Sequence, residues 1–410
     1  SLNTAAQSIC VANIENGSTE ICLTAGATKT FSNSTASGAV VNWLSSGDGT
    51  FNNPSLANPT YTPGPQDITN GYVFIYLDVY NDDPFAPCSV LPVATILLST
   101  LKVSPATQTI CSGTQIGRIT LSGIPSGITY NWTRNNTTSV TGIANSGTSS
   151  TDIRGTLTNN STAPVTVTFT LTPISCAGTP ILATVLVNPR PNAVRTPGSQ
   201  TICSGATMTP ITLTGGVSGT TYNWTTNNIG TITGIATSGS GDISGALTNT
   251  TVLPVTATFT ITPTANSCVG TAVTATTLVN PTPNAVATPS SQTICSGATI
   301  TAITLNGAVI GTTYNWTRDN TASVTGIAAS GSGNIIGALT NTTTAPVTVT
   351  FIITPTANGC PGASITATVI VNPTPNAVAT PSSQTICSGA TITAITLNGA
   401  VIGTTYNWTR

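Results

Sequence analysis

The sequence repeats itself every 92 residues, and that period decides what the chain can fold into. Residues 281–318 and 373–410 are identical over 38 positions. Cys111, Cys203, Cys295 and Cys387 keep the same step, as do Trp132, Trp224, Trp316 and Trp408. So do the N-P-x-P-N segments that start at Asn188, Asn280 and Asn372. Solenoid units recur about every 20–50 residues, whereas a period near 90 is the size of one small domain. The expectation is a string of self-contained beads. The first hundred residues differ in sequence but keep the frame, because Cys22 precedes Trp43 by 21 positions, as Cys111 precedes Trp132. The expected domains are a diverged bead at 1–101, repeats at 102–189, 190–281 and 282–373, and the opening of a further repeat at 374–410. Ser1 is not an initiator and the last repeat stops part-way, so the chain reads as a piece of something longer.

Within a bead the pattern is one of short alternating strands. PVTVTFTLTP (164–173), PVTATFTITP (254–263) and PVTVTFIITP (346–355) put Val, Phe and Ile or Leu on one face and mainly Thr on the other. That is the period-2 signature of a half-buried strand. Gly, Asn and Ser turns separate the runs, and no stretch shows helical periodicity. About seven strands in ~90 residues is the arithmetic of an immunoglobulin-like antiparallel β-sandwich. In that frame Trp43, Trp132, Trp224, Trp316 and Trp408 belong to the third strand and plug the core between the sheets. Threonine arrays of this regularity also template ice or bind glycans. Thr is, however, a β-favoured residue for a wet sheet face, and a twisted sandwich sheet lacks the flatness an ice face needs.

Composition narrows the function. Charged residues make up 5% of the chain and the net charge is −1. Nine Lys and Arg over 410 residues give no basic face for phosphates, so nucleic acid is not an expected partner. No apolar run approaches the ~20 residues needed to cross a bilayer as a helix, so membrane insertion is not expected. The absence of histidine removes the usual general base and most zinc sites. The repeats hold one acid apiece, Asp152, Asp242 and Asp319, where paired-carboxylate catalysis needs two. The expectation is a protein that is not an enzyme.

Ten cysteines at matched spacings in a chain without histidine point to disulfides rather than metal, and hence to an extracellular location. One bridge per bead is the most economical pairing: Cys22–Cys88, Cys111–Cys176, Cys203–Cys268 and Cys295–Cys360. Each would tie the start of a bead to its final hairpin. Closing a loop of ~65 residues is worth about 4 kcal/mol on the chain-entropy account. Cys387 is left without a partner, and Cys10 is the odd one, free to join a preceding domain, a neighbouring chain or nothing. With only Lys29 and Lys102, no bead-by-bead Lys–Asn isopeptide staple is available. Proline fixes φ in the N-P-x-P-N joints, so these read as short, semi-rigid linkers between domains of a thin rod.

Weaker sites remain. Asp78, Asp82 and Asp83 are the one acidic cluster and offer oxygens of the kind calcium takes; a solvated acidic turn is the plainer reading, and no other cofactor is expected. The N-W-T sequons at Asn131, Asn223, Asn315 and Asn407 carry no expectation of glycosylation. Tyr61, Tyr72, Tyr76 and Tyr80 make the first bead the most aromatic, with alternation along 72–80 placing at least half of them in the core. The rest are a stacking platform of the kind sugars use.

Two groups of motifs carry a resemblance. W-L-S-S-G-D-G-T-F (43–51) followed by N-P-T-Y-T-P-G-P-Q-D-I-T-N-G-Y-V (58–73) resembles PKD-like repeats of very large Bacteroidota surface proteins. The T-I-C-S-G…Y-N-W…N-P-x-P-N beads are similar to companion Ig/PKD-like repeats of the same proteins, the giant SprB-like gliding-motility adhesins. Ser46 stands where PKD domains usually place an aromatic before G-D-G. The resemblance implies a tandem array of PKD-like sandwiches, export by the type IX secretion system, attachment to the outer membrane and adhesion to polysaccharide or abiotic surfaces. The expected function is the repetitive stalk of such an adhesin, anchored to outer-membrane or motility machinery by regions outside this chain. The alternatives are a subunit of an ordered extracellular filament, self-associating through Cys10 or an exposed edge strand, and a secreted glycan-binding module using Tyr72 and Tyr76.

Overall fold

The structure, a computed structural model, describes residues 10–410 apart from 16–19, 25–26, 38–39, 82–87, 100, 123–128, 175–179 and 228–229. The chain is all-β, built from tandem sandwich repeats. It forms two compact units. One comprises 1–192 with 215–220 and 264–270; the other comprises 193–214, 221–263 and 271–410.

The repeat that opens at Val286 shows the architecture. Its main sheet runs, in spatial order, through Ser291–Cys295, Ile365–Asn372, Val347–Ala357, Thr313–Arg318 and Ser330–Ser332. The short strand Cys360–Pro361 extends the pairing of Val347–Ala357. The second layer is lighter: Val286–Thr288 pairs with Thr304–Asn306, and Val324–Gly326 with Leu339–Asn341. All pairings are antiparallel but one. The first strand of the main sheet, Ser291–Cys295, runs parallel to the last, Ile365–Asn372, with Cys295 opposite Asn372. The repeats that open near Lys102 and Val194 share this pattern, with Cys111 opposite Asn188 and Cys203 opposite Asn280.

The long strand obeys the expected alternation. Val349, Phe351 and Ile353 are fully buried, and Thr348, Thr350 and Ile352 face outward. They pack with Ile303, Trp316, Val324, Ile335 and Leu339 into one core. Trp316 meets Phe351 edge-on at 5.7 Å, and Trp224 meets Phe259 likewise at 5.9 Å. Gly331 lies directly across the strand pair from Trp316. A Cβ on Gly331 would come within 2.3 Å of the indole, so the glycine is what lets the ring lie flat along the sheet edge. Trp43, Trp132, Trp224 and Trp316 are buried. Trp408 is 77% exposed. Its expected place in a core is therefore corrected.

The first repeat keeps the same plan, with Glu20–Thr24 parallel to Val93–Ser99 at one side of a sheet completed by Tyr72–Asn81 and Val40–Ser45. It departs from the all-strand expectation in one place, a six-residue helix at Pro65–Asn70. Proline opens the helix, where its missing N–H costs nothing, and Gly71 closes it in the left-handed conformation at φ 78°.

Candidate functional site: cysteine-tipped hairpins at two joints

Among the described disulfides only Cys10–Cys88 stays within one bead; the other two cross between beads. These join Cys111 to Cys268 and Cys203 to Cys360, each across 157 residues with Cα atoms 5.5 Å apart. The expected pairs Cys203–Cys268 and Cys295–Cys360 are thereby corrected, and Cys295 is free and exposed. Strand direction is the reason. Cys295 lies at the C-terminal end of Ile365–Asn372, and Cys360 lies beyond its start. The strand between them is 8 residues long, so the two are separated by more than about 26 Å at ~3.3 Å per residue. A disulfide needs Cα atoms within ~7 Å. Cys111 is likewise bonded elsewhere than to Cys176, a residue outside those described. In the first repeat Cys22 sits opposite Leu97, which faces Tyr72, while Cys88 faces Asn81. Those points are about 30 Å apart along one strand, which excludes Cys22–Cys88; Cys22 is disulfide-bonded, but not to Cys88.

The hairpin that carries the second cysteine is rigid for a sequence reason. In A-N-G-C, residues 357–360, Asn358 and Gly359 have φ of 50° and 76°, and Ala357 pairs with Cys360. A two-residue loop with both φ positive is the turn for which Asn-Gly is preferred. A-N-S-C at 265–268 takes the same form, with φ of 48° and 62° at Asn266 and Ser267.

The receiving surface is equally built. Asn280, the residue opposite Cys203, is buried and donates its amide to the Asn358 carbonyl at 3.2 Å; Asn188 donates to the Asn266 carbonyl at 3.2 Å. The Pro283 carbonyl sits where a Cβ on Gly362 would fall, so the hairpin base approaches the N-P-T-P-N segment as closely as backbone allows. Where Arg190 replaces the threonine of that segment, its guanidinium donates to the Ser112 carbonyl and to the Val269 carbonyl, both at 2.8 Å. The serine after each first cysteine fixes the cysteine backbone. Ser296 receives the Asn341 N–H on its hydroxyl at 3.0 Å, and its own N–H goes to the Asn372 carbonyl at 2.8 Å. Asn341 in turn donates to the Ala345 and Val371 carbonyls at 2.7 and 2.8 Å. Ser112 with Asn159 and Ser204 with Asn249 repeat this lock. Sequence reasoning missed these serines and asparagines, although C-S-G recurs at the 92-residue step and L-T-N recurs once in each of the three repeats.

The other sequence candidates disperse. Asp78 is half-buried on its strand opposite Asn42, Asp82 and Asp83 lie outside the described residues, and those described include no cluster of three metal-ligating side chains. In the first repeat Tyr61 is in the core, while Tyr72, Tyr76 and Tyr80 share the outer face of Tyr72–Asn81 with Phe74. One of the four is thus buried, fewer than expected, because Val73, Ile75, Leu77 and Val79 take the inward positions. The G-D-G segment has a structural role. Asp48 accepts from the backbone of Gln66 at the helix start. Buried Asp67 accepts from the Tyr61 hydroxyl at 2.5 Å and from the Gly49 and Gly64 N–H groups at 3.1 and 3.0 Å. Gly47 leaves room for that carboxylate. Burial, and then Asp67, push the Tyr61 phenol well above its ordinary pKa.

Residues 108–191, 200–283 and 292–375 each match the PKD-like domain family. The chain belongs to that family. No curated protein matches the sequence of this PKD-like chain. Among solved structures it is similar to the protocadherin gamma B4 extracellular domain, with 12% identity, 96% of this chain and 74% of that one covered, and a TM-score of 0.29. It is also similar to the titin I-band fragment I67–I69, at 9% identity over 68% and 99% of the two chains with a TM-score of 0.37. Among the described residues no helix is long and apolar enough to cross a membrane.

Proposed function

We propose that this chain is a covalently laddered segment of an extracellular stalk, a structural rather than a catalytic protein. One observation carries the reading: two of the three described bridges, Cys111–Cys268 and Cys203–Cys360, join consecutive PKD-like repeats, while Cys10–Cys88 lies within the first. A bridge inside a bead stabilises that bead alone. A bridge across the joint passes tension from one repeat to the next without loading the linker. The pairs 111–268 and 203–360 also overlap in sequence, so each joint is secured before the preceding bridge ends. Disulfides persist in oxidising surroundings, which supports an extracellular location. In its finer form the stalk belongs to a surface adhesin that attaches cells to polysaccharide or solid surfaces, is exported by the type IX route to the outer membrane and serves gliding motility. That finer form rests on the resemblance of the W-L-S-S-G-D-G-T-F and T-I-C-S-G segments. Immunogold electron microscopy of intact producing cells, with an antibody raised against residues 190–373, tests it. Label strung along thin threads leaving the cell surface is the expected result. Label confined to the cell interior would overturn the reading, and a regular repeat along bundled fibres would replace it with a filament subunit.

A further inference from the structure

Three residues that are engaged in one repeat are more open in the next. Cys203 is bonded, Asn280 is buried against the hairpin and Pro283 is buried beneath it. Their counterparts one period on are Cys295, exposed and free; Asn372, half-buried and without a hairpin carbonyl; and Pro375, exposed. Asn372 and Pro375 also line an open cavity of about 500 Å³ with Pro346 and Ile402. The Cys295 backbone is nevertheless held as in its counterparts, by Ser296 and Asn341.

We propose that Cys295, Asn372 and Pro375 form an open covalent docking site for the cysteine-tipped hairpin of a further PKD-like repeat. This rests on the laddered reading above and extends it to a named site. The occupant is fixed by chemistry already seen twice in this chain: an A-N-x-C turn that offers a carbonyl to the asparagine amide and a thiol to the cysteine. The bridge forms by thiol–disulfide exchange with a small-molecule disulfide such as oxidised glutathione. The Cys295 thiolate displaces one glutathione thiolate, and the hairpin thiolate then displaces the second. Two protons and two glutathione thiolates leave for each protein disulfide made.

Cys387 is the internal control. It lies in the same Q-T-I-C-S-G-A-T-I-T context and is equally exposed and free, but in the completed repeat it would be separated from the appended cysteine by the length of the last strand, as Cys295 is from Cys360. Because 373–410 duplicates 281–318, a copy of residues 319–372 appended after Arg410 completes a further repeat and supplies one new hairpin cysteine. The extended chain is oxidised with glutathione and mapped by non-reducing digestion. The expected product joins Cys295 to the appended cysteine and leaves Cys387 as the one free thiol. A bridge from the appended cysteine to Cys387, or a free appended thiol while Cys203–Cys360 is intact, would overturn the site and leave the ladder standing. Loss of Cys203–Cys360 in the same digest would instead overturn the ladder itself. In the extended chain Asn372→Ala is expected to slow formation of the new bridge about fivefold, the worth of one hydrogen bond of ordinary strength. An unchanged rate would remove Asn372 from the site.

Discussion

Pulling on the Cys203–Cys360 joint and then reducing it should release a length that the bridge conceals. Handles attached at Ser199 and Ala363, both exposed, flank the disulfide by a few residues on either side. With the bridge intact the path between them runs through Cα atoms 5.5 Å apart, so no unfolding of the intervening repeats lengthens the tether. Reduction opens the 157 residues between the two cysteines, about 530 Å of contour at ~3.4 Å per residue. Optical-tweezers extension before and after adding a reductant measures both states. Cys203→Ser should show the full extension without reductant. Bridges within single beads would behave otherwise: with oxidised protein the stretch between Cys268 and Cys295 would pay out, about 27 residues or roughly 90 Å. An extension of that size before reduction would refute the cross-joint geometry.

Three further outcomes follow from the packing. Asn341→Ala leaves the buried Val371 carbonyl without its donor and should cost about 1–3 kcal/mol in denaturant unfolding, whereas a change near zero would mean that the C-S-G lock contributes nothing. Gly331→Ala places a Cβ 2.3 Å from the Trp316 ring and should destabilise by about 1–3 kcal/mol, with a shifted tryptophan emission as the second readout. The Tyr61 phenol is raised by burial, so the stability it contributes is complete below the ordinary tyrosine value of ~10 and is lost as pH climbs above that toward the folded-state value. Tyrosinate absorbance followed with unfolding should show the first repeat melting more easily above about pH 10, and Tyr61→Phe should flatten that dependence; an unaltered slope would contradict it.

Much of the fold was legible because its signals are local. The V-T-V-T-F runs alternate with the pleat, and burial along Val347–Ala357 follows them residue by residue. The Trp of Y-N-W was placed in the core by the same logic. The disulfide pairing was not legible, because it depends on strand direction, a non-local property. Placing T-I-C-S-G on a strand says nothing about whether that strand runs with or against V-I-V-N-P. Once the two are parallel, Cys295 is carried to the far end of the bead from Cys360 and an internal bridge becomes geometrically impossible. The A-N-G-C turn was readable as a tight hairpin, but its partner across the joint was not, since no local pattern couples residues 157 apart. The Asp67 cradle was hidden for a related reason. Gly47, Gly49 and Gly64 make sense only when Asp67, Tyr61 and Asp48, respectively, are seen filling the space their missing side chains leave. The Pro65–Asn70 helix is too short to impose a period on the sequence.

The most direct test of the account is non-reducing peptide mapping of the protein as its own cells produce it, with free thiols blocked before digestion. Crosslinked peptides holding Cys111 with Cys268 and Cys203 with Cys360 are the predicted result. Peptides holding Cys111 with Cys176 or Cys203 with Cys268, or blocked thiols at these positions, would contradict it.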